Sequence, residues 1–255
     1  MTDLSVAGQS GNAILFLLVV AFIAGLARGF SGFGAALIFM PLASSIIGPQ
    51  STAPLLLIID AVAALGLLPK AWLMADRRSV GTMTLGALVG VPLGTYALTR
   101  MDPLALRWII VVLVALLLGL LMSGWRYHGR PALPLTIGVG GLSGFFSGAA
   151  QVGGPPVVAY WLGGASNGEV VRANIVLYFG VSTALTMASY LGGGLITRPV
   201  IVLAFVTGPL YGAGLYLGSR LFGRTSERGF RWTCYSLIAM ASIVSLPVLD
   251  PMLRG

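Results

Sequence analysis

Two glycine-rich stretches carry the groups that could hold a ligand. The longer is Gly144-Phe-Phe-Ser-Gly-Ala-Ala-Gln-Val-Gly-Gly-Pro-Pro156, and an earlier echo is Gly29-Phe-Ser-Gly-Phe-Gly34. Glycine admits backbone shapes closed to other residues and lets a chain approach a ligand closely, whereas proline removes an N–H; neither stretch is expected to be a plain helix. A helix interrupted there offers free N–H groups at the start of its second arm, and with the helix dipole these favour an anion. Ser31 and Ser147 add hydroxyl donors, and Gln151 adds two amide hydrogens suited to oxyanion oxygens. Pro155 and Pro156 fit the first turn of the second arm. The candidate anion contacts are therefore Ser31, Gly32, Gly34, Ser147, Gly148, Gln151, Gly153 and Gly154. The same small residues also suit close helix packing in lipid, which binds nothing.

Single polar residues in apolar surroundings extend the set. Arg28 is the basic residue of the first interrupted segment; it reads as a partner for an anionic substrate or as a side chain reaching the interface. Asp60 sits mid-way along an apolar run, as a coupling carboxylate or a structural partner for Arg28 or the broken backbone. Arg172 reads as an entrance residue or as one more interfacial charge. Asn174 needs a hydrogen-bond partner, either substrate or hairpin backbone. Tyr178, one turn further on, lies on its face.

The elements that must position these residues are membrane helices. Of 255 residues 57% are hydrophobic and 9% charged, and mean hydropathy is +0.95; soluble domains carry about a quarter charged residues. The basic residues behind the net charge of +8 lie scattered between apolar runs, so they read as topology determinants rather than a nucleic-acid surface. The N-terminus has no positive charge before its apolar run, unlike a cleaved secretory signal. One Cys and one His leave neither an internal disulfide nor a His/Cys zinc site. There is no Walker A sequence, no metal motif and no credible triad, His128 falling in a polar loop, so an enzyme is not expected and no cofactor is implied.

Uncharged arms run over 12–27 and up to Gly48 around the first break. Helices follow over about 52–69, 81–98 and 108–125. Apolar arms at 132–150 and 153–164 flank the second break, and helices over 170–191, 199–219 and 232–249 complete the chain. Three matches suggest duplication: Phe30-Ser-Gly32 with Phe146-Ser-Gly148, Gly90/Gly94 with Gly208/Gly212, and Leu106-Arg-Trp108 with Phe230-Arg-Trp232. The expected fold is all-α and polytopic, with two inverted repeats, 1–128 and 129–255, each a broken or hairpin helix plus three spanning helices. Trp72, Trp108, Trp125, Trp161 and Trp232 read as interfacial anchors.

Charge orients the bundle. If each broken segment returns to its starting face, Lys70, Arg77, Arg78, Arg126, Arg130, Arg172, Arg220, Arg224, Arg228 and Arg231 fall together on the cytoplasmic side, and both termini face outward. If each crosses once, the basic residues divide evenly. The first arrangement is preferred, and re-entry and double crossing give it equally.

Gly141-Leu-Ser-Gly-Phe-Phe-Ser-Gly-Ala-Ala-Gln-Val-Gly-Gly-Pro-Pro156 resembles the glycine-rich signature of the TauE/SafE sulfite-exporter family. Gly25-Leu-Ala-Arg-Gly-Phe-Ser-Gly-Phe-Gly34 with Pro41 resembles its first-half copy, with Gly34-Ala-Ala36 where relatives often have three glycines, and Arg172-Ala-Asn174 resembles its second half. The resemblance implies a bacterial inner-membrane exporter of sulfite, sulfoacetate or related organosulfonates. Such a protein would work by alternating access, one repeat moving against the other, in contact with lipid, with protons or another coupling ion and a homo-oligomeric state left open. A passive anion channel using the same tips as a filter is the alternative.

Overall fold

Glycine and proline set most of the helix ends. The computed structural model describes residues 8–31, 34–127, 129, 132–162, 167–221 and 227–250, without the side chains of residues 31, 67 and 227–231. Gly32, His128, Arg130, Arg224 and Arg254 lie outside the described residues. The helices are α1 (Gly11–Ser31), α2 (Ala35–Ile47), α3 (Pro49–Ala64), α4 (Leu68–Met74), α5 (Arg77–Arg100), α6 (Pro103–Ser123), α7 (Leu133–Ala150), α8 (Gly154–Trp161), α9 (Gly168–Gly192), α10 (Arg198–Leu221) and α11 (Glu227–Val244), with 3₁₀ turns at Leu65–Leu67 and Pro247–Leu249. Six of them, α1, α5, α6, α7, α9 and α10, are long and apolar enough to cross a membrane. The protein is an all-α, multi-spanning bundle.

Four expectations change. The helix expected over 52–69 is a bent pair, α3 and α4, meeting at 70°. Pro69 explains the bend: it has no N–H to give, and its ring clashes with the carbonyl four residues back. Among the described residues this is the one bent pair that makes a span. Its second-half counterpart, α9, runs unbroken for 25 residues, so two symmetric repeats are not seen. The first arm is also longer than expected, since α1 continues through Gly29 and Phe30 for 21 residues. Trp161, expected at an interface, is buried, and its indole N–H donates to Ser79 Oγ at 3.2 Å.

Contacts divide the chain into two compact units, Met1–Ile59 with Met101–Leu118 and Leu195–Gly255, and Asp60–Arg100 with Gly119–Gly194. In the first, α1 and α10 run parallel with their backbones touching. A Cβ on Gly25, Gly29, Gly214 or Gly218 would lie 2.0–2.2 Å from a carbonyl oxygen of the other helix. No side chain fits such a seam, and small residues at four-residue spacing create it. In this unit α2 packs on α1 and α11. The start of α6 is pinned by Arg107, whose guanidinium donates to both oxygens of Asp250 at 2.6 and 2.9 Å and to Ser245 O at 3.4 Å.

The second unit holds α4, α5, α7, α8 and α9. Here α5 and α7 form another parallel glycine seam. A Cβ on Gly86, Gly90 or Gly94 would meet the carbonyls of Ile137, Gly141 and Phe145 at 2.0–2.1 Å. Asp76 caps α5 by accepting from Arg78 N and Ser79 N at 3.0 and 3.2 Å. α9 is parallel to both. Near its start Asn174 Oδ1 accepts from Asp76 N at 2.7 Å, and at its end Gly193 sits beside Thr95 and Thr99. One end of this unit therefore gathers Arg77, Arg78, Arg126 and Arg172, while Arg100 lies at the other.

Candidate functional site

The break in the second half is real and narrow. α7 stays helical through Gly144, Ser147 and Gly148 to Ala150, and the chain reverses over Gln151–Gly153 before α8 begins at Gly154. α8 then runs back along α7. Ser143 Oγ donates to Gly153 O at 2.8 Å, the Thr136 and Tyr160 hydroxyls bond each other, and Tyr127 N donates to Ala159 O at 3.1 Å. Residues 133–161 thus form a hairpin whose ends lie together, where α5 and α9 also begin. The two ends of the second broken segment lie at the same end of this unit.

Gln151 makes the turn. It is the one non-glycine with positive φ among the described residues, at 58°. Glycine is the usual occupant of this left-handed position after a helix, where its amide closes the last turn; here Gln151 N bonds Ser147 O at 3.0 Å and Val152 N bonds Phe146 O at 3.3 Å. The strain of a side chain in this conformation is of order 1 kcal/mol. The side chain offsets it. Its Nε2 donates to Ser147 O at 3.0 Å and to Tyr190 Oη at 3.2 Å, while the fully buried Tyr190 hydroxyl donates to Gly148 O at 2.8 Å. Both amide hydrogens of Gln151, expected to face an anion, are used within the protein in this structure.

Gly153 is required for a different reason. A Cβ there would lie 2.2 Å from Ser147 Oγ, 2.4 Å from Ser143 O and 2.9 Å from Ser143 Oγ. The Ser147 hydroxyl consequently faces the reversal. Of the first α8 amides, Pro155 and Pro156 supply none, leaving those of Gly154 and Val157.

The tip gathers Ser147, Gly148, Gln151, Gly153 and Gly154. Tyr178 is buried, but its hydroxyl reaches Gly140 O at 3.2 Å, two turns short of the tip. Asn174 is buried at the start of α5, holding Asp76 N, and Arg172 is exposed at the same end. Neither is brought to the tip. The first break belongs to the other unit. There Arg28 is half-buried in the last turn of α1, Ser31 ends that helix, and Gly34 precedes α2 with φ 104°. Arg28 and Asp60 both have partners. An open groove of about 350 Å³ on α6, lined by Trp108, Ile109, Val112, Leu113 and Leu116, is wholly apolar and offers an anion nothing.

Tyr190, which closes the tip, escapes reasoning from glycine motifs. Ser182, Thr186 and Tyr190 continue the row of Asn174 and Tyr178 at four-residue spacing, and all five are buried. Four residues overshoot a turn by about 40°, so such a row winds around its helix and follows a neighbour that crosses it. A polar row at this spacing in an apolar helix was the available signal. Thr95 on α5 had none, being one threonine among several.

The family profile described as Sulfite exporter TauE/SafE matches residues 17–245. No curated protein and no solved structure matches the chain. The chain belongs to the TauE/SafE family, as a polytopic anion-transport protein rather than an enzyme.

Proposed function

Starting from this TauE/SafE membership, we propose that the protein is a secondary transporter exporting small anions, sulfite or organosulfonates such as sulfoacetate, by alternating access. The observation that carries this reading is the α7–α8 tip. It is a chain reversal among membrane-spanning helices, lined by the Ser147 hydroxyl and the amides that start α8, and closed behind by Gln151 and Tyr190. Irregular backbone at membrane depth is tolerated where it borders protein or a wet cavity, and in transporters such breaks hold the substrate. In the first half Ser31, Gly32, Gly34 and Arg28 are the candidate anion contacts by residue type alone.

A repeated helix pairing, short of two symmetric repeats, is what the seams support. The α1/α10 and α5/α7 seams are the same pair under exchange of the halves, each parallel and each built on glycine. The bacterial inner membrane, with both termini outward, is the orientation supported by Arg77, Arg78, Arg126 and Arg172 at one end of the second unit. Lipid covers the outer helix faces. Asp60 is the candidate for coupling to protons. A homo-oligomer is compatible with this reading and is not needed by it.

Reconstituted vesicles test it. Sulfite or sulfoacetate should accumulate against its own gradient when a proton gradient is imposed. Flux that only dissipates the anion gradient would favour the channel reading. Absence of flux for every sulfur oxyanion and carboxylate tried would remove the transporter reading altogether. Proton dependence surviving in Asp60→Asn would remove Asp60 from coupling.

A further inference from the structure

Thr95 is 5% exposed, and its hydroxyl has no hydrogen-bond partner. That is unusual for this chain. Thr52, Thr82, Thr136, Thr186 and Thr207 each donate to the carbonyl four residues back. The carbonyl Thr95 would use is Val91 O, and Gly148 packs on it: a Cβ at Gly148 would lie 2.2 Å from Val91 O and 2.9 Å from Thr95 N. On the other side, the Thr95 methyl is 3.6 Å from the Cβ position of Gly193, one turn beyond Tyr190. The free hydroxyl therefore belongs to the layer of α5, α7 and α9 that contains the tip, where Tyr190 holds Gly148 O and Gln151.

A buried polar atom without a partner is destabilising, and a valine would fill the same space without that penalty. Sites that meet a ligand commonly retain such a defect. We propose that Thr95 is a binding residue for the transported anion, its hydroxyl donating to an oxyanion oxygen when the tip is occupied. This rests on the transport reading above and adds to it a contact from α5, outside both glycine-rich stretches.

The test uses the full-length protein, with sulfite and sulfoacetate as probes and binding read by calorimetry beside thermal unfolding without ligand. Thr95→Val should weaken binding about tenfold, the change expected for one lost hydrogen bond to a charged group. Its unfolding temperature should match or exceed that of the unmodified protein. Thr95→Ser should restore binding. Ser182→Ala removes another unpartnered buried hydroxyl of the same unit, eight residues or about 12 Å before Tyr190 along α9. It should leave affinity unchanged. Unchanged affinity in Thr95→Val overturns the proposal, as does equal weakening in Ser182→Ala, which would mark a packing effect. If the unmodified protein binds neither probe, the substrate reading fails, and this assignment with it.

Discussion

The α5/α7 seam makes a quantitative demand on Gly90. An added Cβ would sit 2.1 Å from Gly141 O and 2.8 Å from Phe145 N, both backbone atoms of the neighbouring helix. Neither can swing aside, so the helices must part by about 1 Å to restore van der Waals distance. A gap of that size forfeits about a quarter to a half of each contact well along the seam. Overpacking of this kind costs about 1–3 kcal/mol. Alanine's higher helix propensity returns up to about 1 kcal/mol. Gly90→Ala should therefore lose about 1–2 kcal/mol net. Gly212→Ala and Gly119→Ala, with nothing within 4 Å of the added atom, should be neutral or gain stability. Gly214→Ala, where the Cβ would lie 2.2 Å from Phe22 O, should behave like Gly90→Ala. Denaturant unfolding of the protein in detergent reads all four. Equal stability of Gly90→Ala and Gly212→Ala would refute the claim that touching backbones hold these helices together.

Three further substitutions test the tip and the Arg107–Asp250 pair. Gln151→Gly should keep the reversal and relieve its strained φ while losing the bridge to Tyr190, leaving stability within about 1 kcal/mol; Gln151→Ala keeps the strain and loses the bridge, and should fall about 1–2 kcal/mol below Gln151→Gly in the same unfolding assay. Asp250→Asn should destabilise by about 3 kcal/mol or less, because it leaves the Arg107 guanidinium, whose side chain is 11% exposed, without its counter-charge; an unchanged unfolding midpoint would show the pair to be dispensable.

Much of this architecture was legible because the bilayer constrains sequence so tightly. Runs without charge mark α1, α5, α6, α7, α9 and α10, and the glycine-proline cluster located the hairpin turn to within a few residues. The limits of that cluster were not legible. Gly144 and Gly148 looked like helix breakers, yet they are helical and serve contact with α5. In an apolar segment one glycine pattern answers to two demands, a close approach or a chain reversal, and only the second interrupts the helix. The same ambiguity misplaced the repeat register. Gly90/Gly94 were matched to Gly208/Gly212, but a Cβ on Gly212 would meet nothing. The glycines that pack on α1 are Gly214 and Gly218, the counterparts of Gly86 and Gly90 by contact. The Tyr190–Gln151 bridge and the Thr95 hydroxyl depend on which helices become neighbours, a long-range fact that local spacing does not carry.

The seams also bear on what can move. Each joins one helix from residues 1–128 to one from 129–255: α1 with α10, and α5 with α7. A rigid-body motion of one sequence half against the other would have to pull both seams apart, breaking the closest backbone contacts in either unit. If the transport cycle moves rigid bodies, each body keeps its seam intact and so contains helices from both halves. A cross-link across α5 and α7 distinguishes the two. The Cβ position of Gly144 lies 3.2 Å from Ala87 Cβ and 2.8 Å from Ala87 Cα, shorter than a disulfide spans, so cysteines here can bond only with the helices slightly parted. In a Cys234→Ala background, Ala87→Cys with Gly144→Cys wedges the seam whether or not the bond forms, so the reduced protein is the reference, and oxidation should leave its transport unchanged because the bond joins atoms that travel together. Transport lost on oxidation and recovered on reduction would mean that the seam opens during the cycle, and the sequence halves would then be the moving parts.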